Sequence, residues 1–173
     1  LFVLGFRKVS ILDGGLKEWR RVGYDIETGE NSYNPANFET VSDNSVFVGK
    51  KRTQHSINTK NCIILNALTS DLHRGESSRY GRPGRIPGSI NIPFHELLEK
   101  NTHKLLNPTK ALAIIKEKNI NRETRVLNYC GGGIAATLNA FVLRQLGIEN
   151  LEIYDNSMSE WAKDTSLPIE TTE

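Results

Sequence analysis

The sequence predicts an α/β fold: a parallel sheet with helices on both faces. Three observations carry that expectation. Short apolar runs at residues 61–66 (NCIILN) and 125–129 (RVLNY) have the form of strands buried on both faces. Longer stretches with helical apolar spacing, 107–118 and 134–146, alternate with them. Between the 125–129 strand and the 134–146 helix stand Gly131, Gly132 and Gly133, a glycine-rich strand-to-helix turn.

The elements follow in order. Residues 46–58 read as helical or irregular, and 61–66 as a strand. Residues 70–85 form a loop rich in Gly, Arg and Ser, and 85–93 a Pro-Gly turn leading into a short strand. A short helix is expected over 95–100. In the helix over 107–118, Ala111, Leu112 and Ile115 share one side. In the helix over 134–146, Ile134, Leu138, Phe141, Val142 and Leu146 form the apolar stripe. A strand at 150–154 and a short helix at 159–163 complete the pattern.

Composition narrows the function classes. Lys and Arg number 22 against 20 Asp and Glu, a net charge of +2 that shows none of the basic excess of a nucleic-acid binder. With 38% hydrophobic residues and 24% charged residues of both signs, the chain is neither disordered nor a membrane span. Two cysteines, Cys62 and Cys130, exclude a disulfide scaffold. LFVLGF at the start is too short for a signal peptide, and a cytoplasmic location is expected.

An internal repeat suggests the domain organisation. Residues 4–19 lie over 146–161 without a gap. Leu4, Gly5, Ile11, Asp13, Glu18 and Trp19 recur as Leu146, Gly147, Ile153, Asp155, Glu160 and Trp161. Each copy reads as a helix end at Leu-Gly, a strand (8–12 and 150–154), a turn and a short helix bearing Glu-Trp. The chain begins at Leu1, and its only Met is Met158. The expectation is therefore a fragment of a longer protein. Residues 1–30 would be the C-terminal remnant of one domain, 31–40 a polar linker and 41–173 a complete second copy. Leu1, Phe2, Val3 and Phe6 suggest a face that packs against the missing N-terminal domain.

The chemistry concentrates at Cys130-Gly-Gly-Gly, where a strand ends and a helix begins. Glycines let a loop curl with its N–H groups inward, and a helix N-terminus adds free N–H groups and partial positive charge. Such surroundings favour a thiolate; cysteines so placed ionise at roughly 3.5–7.5. The end of a parallel strand is also where α/β sheets place their sites. Two other readings of the loop fail on specific residues. The lysine and hydroxyl of a phosphate loop are absent, since Ile134-Ala135-Ala136 follow the glycines. A cysteine phosphatase needs an arginine where Ala136 stands.

Four segments together resemble the rhodanese family, specifically the two-domain thiosulfate/3-mercaptopyruvate sulfurtransferases. They are VSILDGGLKEW (9–19), GRIPGSINIPF (84–94), NYCGGGIAA (128–136) and YDNSMSEW (154–161). The resemblance implies a rhodanese-like fold and a sulfur-transfer cycle. Cys130 would take a sulfane sulfur from thiosulfate or 3-mercaptopyruvate as a persulfide, then pass it to cyanide or a thiol. The backbone of Gly131, Gly132, Gly133, Ile134 and Ala135 would hold the sulfur. No cofactor is expected, and His55, His73, His95 and His103 show no metal spacing.

Several positions depart from the family pattern. Mercaptopyruvate-type loops resemble C-G-S-G-V-T and thiosulfate-type loops C-R-K-G-V-T, whereas this one reads C-G-G-G-I-A. Gly132 thus replaces a hydroxyl or a lysine, and Ala135 a threonine. Leu72 stands in place of a substrate arginine, and Asn66 and Leu68 in place of the family's D-x-R. Anion binding then falls to Arg74, Arg79, Arg82 or Arg85. Arg79 aligns with the family's second substrate arginine, and Arg74 could substitute for Leu72. Cys62 reads as a core thiol, and Trp19 and Trp161 as core anchors. The competing functions are a persulfide carrier with little turnover and an inactive rhodanese-like domain.

Overall fold

A computed structural model describes residues 1–172. Five strands form one all-parallel sheet: β1 (Phe47–Val48), β2 (Cys62–Asn66), β3 (Ile90–Asn91), β4 (Arg125–Tyr129) and β5 (Leu151–Tyr154). Their order across the sheet is β1-β5-β4-β2-β3. From β2 the chain goes to β3 on one side; from β4 it goes to β5 on the other. The loops that leave β2 and β4 therefore diverge, and the crevice between their carboxyl ends is the sheet's switch point.

Six helices accompany the strands: α1 (Gly15–Arg21), α2 (Lys50–Ser56), α3 (Ser70–Arg74), α4 (Pro108–Glu117), α5 (Ile134–Gln145) and α6 (Ser157–Trp161). The Asn107 side chain caps α4 by accepting from the Thr109 amide at 2.8 Å, and Pro108 opens the helix. Alternating residues of β2 and β4 feed two apolar clusters. Ile64 and Leu127 pack with Ile153, Met158 and Trp161. Leu65 and Val126 pack with Ala111 and Ile115 of α4 and Val142 and Leu143 of α5. The parallel sheet and its layers are those expected from the alternating pattern. No helix among the described residues is long and apolar enough to cross a membrane.

Local boundaries differ in instructive ways. The stretch at 46–58 holds a two-residue strand and α2, because Phe47 and Val48 find Ile153 and Tyr154 as parallel partners. Within the 70–85 loop the first five residues close into α3, capped at Gly75 (φ 89°). Phe94–Leu97 is a 3-10 turn. Residues 8–12 do not form the expected strand: strands exist by pairing, and no neighbouring strand lies beside them.

The stripe on α5 is rotated from the expected one. Ala136, Asn139, Ala140, Val142 and Leu143 are its buried residues, while Ile134 is 85% exposed. Small side chains let the helix approach the sheet closely, and Asn139 Nδ2 donates to the Ile92 carbonyl at 2.8 Å.

Residues 1–46 pack on the sheet domain through a few polar and aromatic contacts. The Leu105 amide donates to Asp13 Oδ1, Glu18 pairs with Lys104, and Arg144 lies over the Phe2 ring. Leu1, Ile11, Leu12 and Leu16 remain more than half exposed. Residues 22–46 contain no helix or strand.

Candidate functional site

Cys130 follows β4 directly, at the switch point. It is 2% exposed and is among the residues lining an open cavity of 1890 Å³ that also runs past residues 1–15 and along α5. Near it the cleft is walled by Leu68, Leu72, Tyr80 and Phe94, with Arg79 at the rim.

The loop's shape comes from α6. Met158 N–H donates to the Cys130 carbonyl at 3.1 Å, and both the amide and the hydroxyl of Ser159 donate to the Gly131 carbonyl, at 2.8 and 2.6 Å. In a trans peptide the N–H points opposite the C=O. The amides of Gly131 and Gly132 are therefore turned away from α6. Among the described residues, the amides of Gly131, Gly132 and Gly133 have no acceptor. Gly133 is the residue before α5 and offers no capping side chain, so the first helical amides are also unpartnered. Its φ of 86° is one that glycine adopts freely. The result is a group of free main-chain donors at the positive end of a 12-residue helix, beside the cysteine. In this structure no loop amide touches the sulfur itself: Cys130 Sγ makes no hydrogen bond among the described residues. Cys130 also belongs to the buried apolar cluster that includes Leu68 and Ile86.

Two serines of the 154–161 segment hold this arrangement, and sequence reasoning gave neither a role. Ser157 Oγ accepts from the Cys130 amide at 3.0 Å and donates to the Tyr154 carbonyl at 2.6 Å. It is fully buried, in a left-handed conformation (φ 49°). Ser159 anchors the Gly131 carbonyl. The available signal was that both serines lie in a motif already singled out, but which carbonyl or amide they serve depends on β4 and β5 being neighbours.

The arginines part company. Arg79 is exposed, lies 5.8 Å from the Tyr80 ring centroid and forms no ion pair among the described residues. Arg74 pairs with Glu76 at 2.6 Å and does not line the cleft, so the structure does not bring it to Cys130. Arg82 donates to the carbonyls of Trp161, Ala162, Asp164 and Leu167, which makes it a staple for the chain after α6. Arg85 is 9% exposed and is held by Glu170, Thr172 and the His73 carbonyl. Ile134 and Ala135 line the cleft with Gly131 and Gly132; Gly133 is buried beneath them.

Cys62 is half-buried at the start of β2, opposite Arg125 in the register, and burial pushes its thiol up. Five residue steps along β4 then lead from Arg125 to Cys130, a span of about 16 Å. It therefore cannot serve as a partner thiol for Cys130. Among the described residues no group of His, Cys, Asp and Glu is arranged to hold a metal ion.

Behind the site, burial and then the Arg85 guanidinium push His73 down to about 4. Asn66 Nδ2 donates to its Nδ1 at 3.1 Å, which requires that nitrogen unprotonated. Between about 6.5 and 4 the unfolded chain takes up a proton that the native His73 refuses. Stability should therefore fall as the pH is lowered through that window. Thermal midpoints across it should drop for the native chain and flatten in His73→Gln. Glu18 and Asp164, each held near 2 by a cationic partner, act only at lower pH.

A family model described as "Rhodanese-like domain" matches residues 56–164. Three curated proteins illustrate the likeness. "Putative thiosulfate sulfurtransferase SseB" of Mycobacterium tuberculosis is 31% identical over 98% of this chain and 60% of its own length. A 3-mercaptopyruvate sulfurtransferase of Escherichia coli is 28% identical over 98% of the chain and 61% of its own length. One of Mus musculus is 30% identical over 91% and 54%. The chain thus spans little more than half the length of these relatives. The solved wild-type structure of EanB superposes with a TM-score of 0.87 at 21% identity, over 99% of this chain and 42% of the other, which is a likeness of fold.

Proposed function

This chain belongs to the rhodanese-like domain family, and from that premise we propose that it is a sulfurtransferase working through a Cys130 persulfide. The observation that carries the reading is the set of unpartnered main-chain donors around the loop that starts at Cys130. The relatives named above as sulfurtransferases support it.

In this reading the Cys130 thiolate attacks the outer sulfur of a donor. A sulfur–sulfur bond forms, the donor's bond to that sulfur breaks, and the electron pair leaves with sulfite or with the pyruvate enolate. The terminal sulfur then carries the negative charge, and the loop amides of Gly131, Gly132 and Gly133, with Ile134 and Ala135 of the first helical turn, stabilise it. Cyanide or a thiol takes the sulfur and returns the thiolate. Arg79 is the cation that meets the donor's anionic group; Arg74, occupied by Glu76, is assigned no part. Residues 1–30 are read as the end of a preceding domain that completes the cleft, with 31–40 as linker and 41–173 as the sulfur-carrying domain.

The test is mass spectrometry of the purified chain after exposure to thiosulfate or 3-mercaptopyruvate, with and without cyanide. One added sulfur, lost on adding cyanide, is the expected result. Loading that no acceptor discharges would favour a persulfide carrier. No adduct with either donor would exclude sulfur transfer by this chain.

A further inference from the structure

The loop from Cys130 to Ala135 has no side-chain hydrogen-bond donor apart from the thiol itself; every residue after it is Gly, Ile or Ala. A donor nevertheless stands against it from the opposite wall. A Cβ placed on Gly131 would lie 2.1 Å from both Cζ and Oη of Tyr80, so the phenol tip occupies the space a side chain at 131 would fill. Tyr80 is half-buried and lines the cleft together with Cys130 and Gly132. Its hydroxyl has no hydrogen-bond partner among the described residues, and its ring is steadied by the Arg79 guanidinium. Gly131 thus has two uses: its amide faces away from α6, and its missing Cβ admits the phenol. The cleft near the cysteine then combines the Arg79 guanidinium, which has no ion-pair partner among the described residues, with the Tyr80 O–H, beside Leu68, Leu72 and Phe94; Thr69, Asp71 and Ser77 also line it.

Resting on the sulfur-transfer reading above, we propose that Tyr80 is a catalytic residue of this site: its hydroxyl donates to the oxygen on which negative charge develops as a 2-oxo thiol donor releases its sulfur. When Cys130 takes the sulfur of mercaptopyruvate, the carbon–sulfur bond breaks and its electron pair passes into the enolate of pyruvate. The proton of the donor's own thiol finally returns to that carbon, giving pyruvate. A neutral O–H suits the enolate oxygen, and the single guanidinium suits the carboxylate. The dianion of thiosulfate finds one cation only. Tyr80 therefore supplies from the 70–85 loop the hydroxyl that the Gly132 and Ala135 positions lack.

Tyr80→Phe keeps the ring against Gly131 and removes only the oxygen. The expected result is a fall of about 10- to 100-fold in kcat for persulfide formation from 3-mercaptopyruvate, with the donor's KM and the thermal midpoint little changed. Arg79→Lys, by contrast, should raise KM with kcat largely kept. Loading from thiosulfate should be less affected by Tyr80→Phe than loading from mercaptopyruvate. If Tyr80→Phe loads at the native rate with mercaptopyruvate, or loses both donors equally along with its thermal stability, the assignment is overturned while the Cys130 reading stands. If the native chain loads from neither donor, the Cys130 reading itself has failed.

Discussion

Cys130→Ser should abolish sulfur loading. A serine hydroxyl is not ionised at neutral pH, and a persulfide has no oxygen counterpart with which to continue the cycle. The expected loss is about 1,000-fold or more, which leaves no detectable adduct. The substitution changes one atom in a residue that is 2% exposed and lies in the apolar cluster with Leu68 and Ile86, so a modest cost of about 1–3 kcal/mol in stability accompanies it. Cys130→Ala removes that complication, because it leaves no polar group in the apolar floor. Both variants should stay folded and silent toward donors. Cys62 provides the internal check: its thiol is raised by burial and lies about 16 Å from the site. An adduct that persisted in Cys130→Ala would have to be on Cys62, and would show that the loop is not where sulfur is carried.

Gly133→Ala should cost both stability and activity. The residue has φ 86°, and a Cβ there would fall 2.7 Å from the Asp155 carbonyl oxygen and 2.9 Å from its Oδ1. The left-handed backbone costs about 1–2 kcal/mol for a residue with a Cβ. The contact adds to that, because its nearest partner is main chain in the turn after β5 and cannot swing aside. A total of about 2–4 kcal/mol is expected, read as a drop in the denaturation midpoint. Relief requires the loop to move away from β5, which misdirects the amides that follow Cys130. Gly132→Ala is the control two residues from the cysteine. Its φ is not positive, and the nearest atom to the added Cβ is Ser159 Oγ at 3.7 Å. It should fold normally and keep loading. Equal behaviour of the two variants would refute the dependence of sulfur loading on loop geometry.

Much of the scaffold was legible locally. Residues 125–129 are a strand as expected, because an apolar run bounded by charge and glycine has few other uses. The helix expected over 107–118 spans Pro108–Glu117, its start written in Asn107-Pro108. Cys130 could be singled out for the same reason: a nucleophile, three glycines and a helix start are neighbours in the chain. The rotation of α5 was not legible. Spacing counted Ile134 as apolar and so as core, but small residues on another face, Ala136 and Ala140, allow a closer approach to the sheet. The strand expected at 8–12 had the right residues and no partner.

What the sequence alone determined is therefore the alternation of the longer strands and helices after residue 60 and the position of the thiol at a turn built from glycine, since backbone preference and apolar period act between residues close in the chain. The tertiary structure alone decided which polar groups face that thiol. Arg74 and Arg79 were both expected at the site from sequence; Glu76 occupies Arg74, the carbonyls after α6 and Glu170 occupy Arg82 and Arg85, and Arg79 is left. Ser157 holds the Cys130 amide and Tyr80 meets Gly131 across 27 and 51 positions of chain. Such pairings are set by which strands lie side by side, and a hydrogen bond or a close contact depends on distance in space rather than on spacing in sequence.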